Sequence, residues 1–178
     1  MADETSNVWA TGPPSFEASI VVNAPAARVF QAFIAHDDLV YWWAVERSVA
    51  VPRPTGPYAV TWPPGDRRDE VLGQLGGTLH GTVIDCTPDR GLLVADVHWQ
   101  PPAGEPLGPM ALEIRCEPEA DAATTRVTVR QSASENGPRW QRYFTLTNAG
   151  WTAALATLKD YLEHEWLYRV KTIKQARP

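Results

Sequence analysis

The chain is poor in cysteine and lysine, and each shortage removes a class of function. Cys86 and Cys116 are the only two cysteines. They form no CxxC pair and cannot build a zinc site alone. Two free, largely buried thiols of a reducing compartment are therefore expected. The three lysines, Lys159, Lys171 and Lys174, all lie near the C-terminus, and the arginines are scattered, with Arg67-Arg68 the one adjacent pair. With a formal net charge of −5, there is no basic cluster to reward a phosphate backbone, and no nucleic-acid partner is expected. No segment approaches the roughly 20 uninterrupted apolar residues that a membrane-spanning helix needs. The opening MADETSNVWATGPP is acidic and polar, where a secretory signal is basic and then apolar. The expected location is cytoplasmic.

Catalytic signatures are missing as well. The sequence has no GxSxG, HExxH, P-loop or GxGxxG, and neither cysteine has a histidine partner within reach along the chain. No nucleophile, metal or cofactor is expected, and the reading leans away from an enzyme.

What is present describes an ordinary core with unusual walls. Apolar residues make up 44% and charged residues 21% of 178 residues, which excludes wholesale disorder. One domain of this length buries roughly 70% of its unfolded surface, enough without disulfide or metal staples. Against that background stand eight tryptophans and sixteen prolines. Tryptophan suits an apolar wall that also needs a hydrogen-bond donor.

Residues 1–14 are expected as a flexible tail ending at Gly12-Pro13-Pro14, residues 15–170 as one domain, and 171–178 as a C-terminal tail. Phe16, Ala18, Ile20 and Val22 alternate as one face of a first strand. Ala26, Val29, Phe30 and Phe33 recur at the spacing of an amphipathic helix opened by Pro25. A second short helix is expected over 36–43. Strands are predicted over 45–51, 57–62, 77–86, 91–99, 109–117 and 124–131. In 109–117, Met110, Leu112, Ile114 and Cys116 share one face, and Val127 and Val129 share a face of the next strand. Such half-polar strands fit an antiparallel sheet with one wet face. A long helix is predicted over about 145–170, with Trp151, Leu155, Leu158 and Leu162 as its apolar stripe. It is the one element able to cover seven strands.

In this order, several local motifs resemble the START-like (SRPBCC) superfamily, specifically its branch of heat-shock-protein ATPase activator homologues. The resemblance covers residues 16 to about 163. It rests on Ala24-Pro25-Ala26-Ala27-Arg28-Val29-Phe30, on Leu39 to Trp43, and on Gly76-Gly77 leading to Gly81-Thr82-Val83-Ile84-Asp85. Leu92 to Trp99, Thr125-Arg126-Val127-Thr128-Val129 and Gly150-Trp151-Thr152-Ala153-Ala154-Leu155 complete it. The resemblance implies an α+β helix-grip fold: a curved antiparallel sheet of about seven strands wrapped around the C-terminal helix, with an apolar cavity between. It implies no universal catalytic motif. A chaperone-activating role is not expected, because the co-chaperones that name the branch carry an additional N-terminal domain.

Strand parity then nominates the cavity walls. If Thr87 pairs with Gly91 across a turn, Leu79 faces Trp99, Gly81 faces Val97, and Val83 faces Ala95 on a wholly apolar side. Tyr58, Val60 and Trp62 share a face, Leu112 and Ile114 join from the next strand, and Trp151, Leu155 and Leu158 from the helix. Trp42 and Trp43 close one end. Gly81 in mid-strand is expected to leave space for a large planar ligand. The opposite side of the hairpin carries His80 beside His98 and Thr82 beside Asp96. That side is expected to be the solvated one; a register slip of one residue instead makes His80, His98 and Asp96 an acid–base group, with Tyr58 as a further candidate.

The expected partner is a hydrophobic, aromatic or polyketide-like small molecule, bound by a monomer or weak homodimer. Natural-product biosynthesis or self-resistance is the expected setting. Two alternatives stand beside it. One is a polyketide cyclase or aromatase-like enzyme using His80, His98 and Asp96. The other is sacrificial resistance to an enediyne-type antibiotic, in which an unshielded glycine Cα is attacked; Gly81, Gly104 and Gly108 are its candidate positions.

Overall fold

The computed structural model describes residues 12–165, 167 and 168. The two expected tails fall largely outside the described residues. Element order is β1 (Ser15–Val22), α1 (Ala26–Ala32), α2 (His36–Trp43), β2 (Arg47–Ala50), β3 (Pro57–Trp62), β4 (Arg68–Asp69), β5 (Gly73–Gln74), β6 (Gly77–Thr87), β7 (Gly91–Gln100), β8 (Leu107–Pro118), β9 (Thr125–Ala133) and α3 (Pro138–Glu163). Seven strands form one antiparallel sheet in the order β1-β9-β8-β7-β6-β3-β2. This is the helix-grip α+β architecture.

Alternation builds the inner face. Met110, Leu112, Ile114 and Cys116 on β8, and Val127 and Val129 on β9, are all buried. α3 covers that face with Trp151, Leu155, Leu158 and Leu162, as its spacing requires. At 26 residues the helix is about 39 Å long, enough to cross the sheet.

Three features depart from the sequence reading. First, α3 begins at Pro138 rather than near 145. Proline is pre-set for a first helical turn, and Tyr143, Phe144 and Trp140 carry the buried stripe back from Trp151 towards that start.

Second, a two-stranded ribbon, β4–β5, interrupts the connection between β3 and β6. Each of its strands has two residues, too short for alternation to register.

Third, the β6–β7 hairpin holds its expected register only at its ends. Thr87 pairs with Gly91, Leu79 with Trp99, and His80 with His98. Between them, two bulges shift the pairing, so that Val83 faces Val94 rather than Ala95. Asp96 sits at the first bulge with φ 53°, a left-handed conformation that aspartate tolerates better than most residues. The bulge switches parity, so the inward residues of β7 are Leu92 and Val94 on one side of it and Val97 and Trp99 on the other. Gly81 lies opposite this bulge and leaves no space. A Cβ there meets the Ala95 carbonyl oxygen and Val94 Cγ1 at 2.8 Å and Val97 Cγ2 at 2.9 Å. Glycine is required by close packing, not by a ligand.

Among the described residues, no helix is long and apolar enough to cross a membrane.

Candidate functional site

The site begins with how α2 is fixed. Arg28 of α1 grips the buried Asp38 with two parallel bonds, Nη1 to Oδ2 at 2.9 Å and Nη2 to Oδ1 at 2.7 Å. The Tyr161 hydroxyl donates to Asp38 Oδ1 at 2.6 Å. Arg28 also reaches Glu165 at 3.0 Å. This charge-assisted cluster joins α1, α2 and α3 and leaves the buried carboxylate fully paired.

The two tryptophans at the end of α2 have different tasks. Trp42 is 2% exposed, packs edge-on to Phe33 and donates from Nε1 to the Ala32 carbonyl at 2.8 Å. Trp43 stacks on it with ring centroids 5.0 Å apart, then meets Trp62 at 4.9 Å and Trp151 at 4.5 Å. Trp62 Nε1 donates to the Trp43 carbonyl at 3.0 Å. The aromatic chain therefore runs from the dry core to the edge of a cavity.

That cavity, of about 400 Å³, lies between the sheet and α3. The sheet side contributes Trp62, Leu79, Trp99 and Gln131; the ribbon and the residues after it contribute Leu72, Leu75 and Gly76. α3 supplies Tyr143, Leu146, Thr147, Gly150, Trp151 and Ala154, one face at helical spacing. Its mouth is marked by half-buried Leu146 and Thr147 and exposed Gly150. Among the described residues, no charged side chain lines it.

The polar groups are few. Gln131 is fully buried on the inward face of β9. Its Nε2 donates to Met110 Sδ at 3.3 Å and to the Tyr143 hydroxyl at 3.5 Å, and its Oε1 accepts from Trp151 Nε1 at 3.4 Å. Burial pushes the Tyr143 hydroxyl above its ordinary value. Trp99 Nε1 donates to the Gly76 carbonyl at 2.8 Å. Gly76 has φ 102°, and a Cβ there would run into the Pro63 carbonyl oxygen, so this close turn needs glycine.

The ribbon is fastened across the site. Asp69 Oδ1 accepts from the Val71 and Leu72 backbone N–H groups, each at 3.0 Å. Its Oδ2 accepts from Arg142 Nε at 2.8 Å and Nη2 at 2.7 Å. The Arg142 guanidinium and the two backbone donors hold the Asp69 carboxyl down at about 2. One carboxylate thus shapes the turn carrying Leu72 and ties it to α3.

Of the residues nominated from sequence, Trp43, Trp62, Leu79, Trp99 and Trp151 line the cavity. Trp42, Tyr58, Val60, Gly81, Val83, Val97, Leu112, Ile114, Leu155 and Leu158 do not. All of these except half-buried Gly81 are buried side chains of the dry core. Tyr58 donates to the Phe33 carbonyl at 3.1 Å, and burial raises its hydroxyl above the ordinary value. The sequence reading missed Gln131, although it continues the inward parity of Val127 and Val129. It also missed Tyr143, which precedes the helix start expected from sequence, Leu146 and Thr147 in the first turn of that expected helix, and the ribbon residues.

His80, His98 and Asp96 come together away from the cavity. The two imidazoles stack at 5.8 Å, His98 Nδ1 lies 3.8 Å from Asp96 Oδ1, and the group borders a separate shallow pocket with Thr82, Gln100 and Pro106. Among the described residues, no group of three or more His, Cys, Asp or Glu side chains is placed to hold a metal ion. Gly104 and Gly108 are also outside the cavity lining; His98 occupies the space beside Gly108.

An antiparallel sheet closed over one long helix, with an aromatic cavity between them, defines a START-like helix-grip protein. Residues 23–163 match the family model described as Activator of Hsp90 ATPase homolog 1-like protein, and the chain belongs to that family. No curated protein matches the chain. Among solved structures, protein MLL2253 from Mesorhizobium loti is similar at TM-score 0.62 and 15% identity, over 84% of this chain and 97% of that one. The AHSA1 protein from Silicibacter pomeroyi is similar at TM-score 0.61 and 15% identity, over 85% and 99%. DynU16, from the dynemicin biosynthetic locus, is similar at TM-score 0.58 and 19% identity, over 85% of this chain and 48% of that one. Likeness at these identities is a likeness of fold.

Proposed function

We propose that the chain binds an uncharged, aromatic or polyketide-like small molecule in the cavity between the sheet and α3. The observation that carries this reading is the lining itself. Four of the chain's eight tryptophans, with Tyr143, border about 400 Å³ of space into which no charged side chain of the described residues projects. Indole faces suit a planar apolar body, and pockets of several hundred Å³ with few polar groups suit small molecules. A carboxylate entering the site loses water without meeting a counter-charge, which is costly. The natural-product setting draws support from the fold shared with DynU16.

Acid–base turnover by His80, His98 and Asp96 is not favoured, because these groups stand away from the cavity, and the Tyr58 hydroxyl is engaged in the core. Binding without those residues is the reading kept.

The test is a titration with naphthalene followed through tryptophan emission and checked by calorimetry. Saturable one-to-one binding is expected, with 2-naphthoate at least about tenfold weaker at neutral pH because its charge is left unpaired. Silence in both measurements, for naphthalene and for a larger planar probe such as anthracene, overturns the reading.

A further inference from the structure

The cavity has few polar groups, and the one on its sheet side, Gln131, is paired only through weak or long hydrogen bonds. Gln131 is fully buried, yet the amide has two N–H donors and a carbonyl with two lone pairs to satisfy. Its donors find a thioether sulfur at 3.3 Å and a phenol oxygen at 3.5 Å. The first is a weak acceptor, and the second lies at the outer limit of a hydrogen bond. Its carbonyl receives one indole N–H at 3.4 Å. Strand geometry directs this residue inward beside Val129 and Val127, so its placement is imposed by the fold. An apolar side chain of the same length would fill the position with no polar group to satisfy. What a buried amide adds is a donor, fixed at the inner end of an aromatic slot and short of a good acceptor.

We propose that Gln131 is the specificity residue of the site: it selects ligands that carry a neutral oxygen, a carbonyl or a hydroxyl, at the leading edge of an aromatic body. The proposal rests on the small-molecule reading above and adds the polar half of the ligand. In the complex, the ligand oxygen accepts from Gln131 Nε2–H in place of Met110 Sδ. A hydroxyl can further donate to the Tyr143 oxygen. Trp43, Trp99 and Trp151 hold the ring system behind it. An ionised oxygen is disfavoured, since among the described residues no cationic side chain borders the cavity.

The experiment compares naphthalene with 2-naphthol, which differ by one hydroxyl, on the wild-type protein and on Gln131→Met. Wild type is expected to bind 2-naphthol about fivefold or more tightly than naphthalene, although naphthalene is the more apolar. In Gln131→Met, that preference falls at least threefold, with naphthalene affinity kept or improved. A preference within threefold of wild type, or a wild-type preference for naphthalene, overturns the assignment while leaving the cavity reading intact. Failure of naphthalene to bind wild type removes the binding reading and this inference with it. If Gln131→Met does not fold, the Gln131 side-chain amide resonances of the ¹⁵N-labelled wild type decide. They shift with 2-naphthol and hardly with naphthalene if the proposal holds; equal shifts, or none, overturn it.

Discussion

Trp43 and Trp151 meet with their ring centroids 4.5 Å apart, and this contact links α2 to α3 at the edge of the cavity. Trp42, one residue earlier, faces the core instead, so neighbouring positions of one helix separate stability from binding. Trp42→Ala removes a side chain that is 2% exposed and is expected to cost about 3–5 kcal/mol. Trp43→Ala removes a half-buried side chain beside existing space and is expected to cost about 2 kcal/mol. It weakens naphthalene binding at least about tenfold, in keeping with the loss of an aromatic contact. Denaturant melts and fluorescence titrations of both variants check the contrast.

Asp69 supplies a pH dependence with a definite sign. Its carboxyl titrates near 2 in the folded protein and near 4 when unfolded. A depressed carboxylate stabilises the fold fully above the unfolded value and loses that contribution as pH falls from about 4 to about 2. Amide exchange at Val71 and Leu72 should therefore quicken over that window. Arg142→Met is expected to narrow that window by raising its lower end towards the unfolded value; an unchanged profile would show that Arg142 does not hold the ribbon.

Two glycines should respond oppositely to a methyl group. Gly81→Ala places Cβ within 2.9 Å of three neighbouring atoms, one a backbone carbonyl oxygen, and is expected to destabilise by about 1–3 kcal/mol. Gly150→Ala meets nothing within 4 Å and is expected to stabilise α3 by about 1 kcal/mol. Thermal melts of the two variants give the signs directly, each 1 kcal/mol moving Tm by roughly 2–4 °C.

The imidazole pair offers a negative control. His80→Gln with His98→Gln changes a group on the opposite side of the sheet from the lining residues Leu79 and Trp99, their neighbours along β6 and β7. Naphthalene affinity is expected to stay within twofold, and stability within about 1 kcal/mol. A larger loss of affinity would place these histidines in the binding site after all.

Most of the fold was legible because alternation and helical spacing report which face a residue takes. Met110, Leu112, Ile114 and Cys116 could be assigned inward from sequence, and they are. Parity does not report where along the strand the inner face is dry and where it is hollow. Leu112 and Leu79 share a side, yet one fills the core and the other borders the cavity. The bulge at Asp96 depends on a left-handed backbone that no repeating pattern announces. The ribbon owes its place to one carboxylate reaching Arg142 across 73 positions of sequence. Pro138, by contrast, was a readable start signal for α3, and it brings Tyr143 to Thr147 into the wall.

The most direct measurement is a crystal structure of the protein soaked with 2-bromonaphthalene, with the bromine located by its anomalous signal. The account predicts one strong peak inside the cavity bordered by Trp43, Trp99 and Trp151, with the ring system packed against those indoles. A peak confined to the outer face of the sheet, or a cavity closed by its own side chains with no bromine in it, would contradict it.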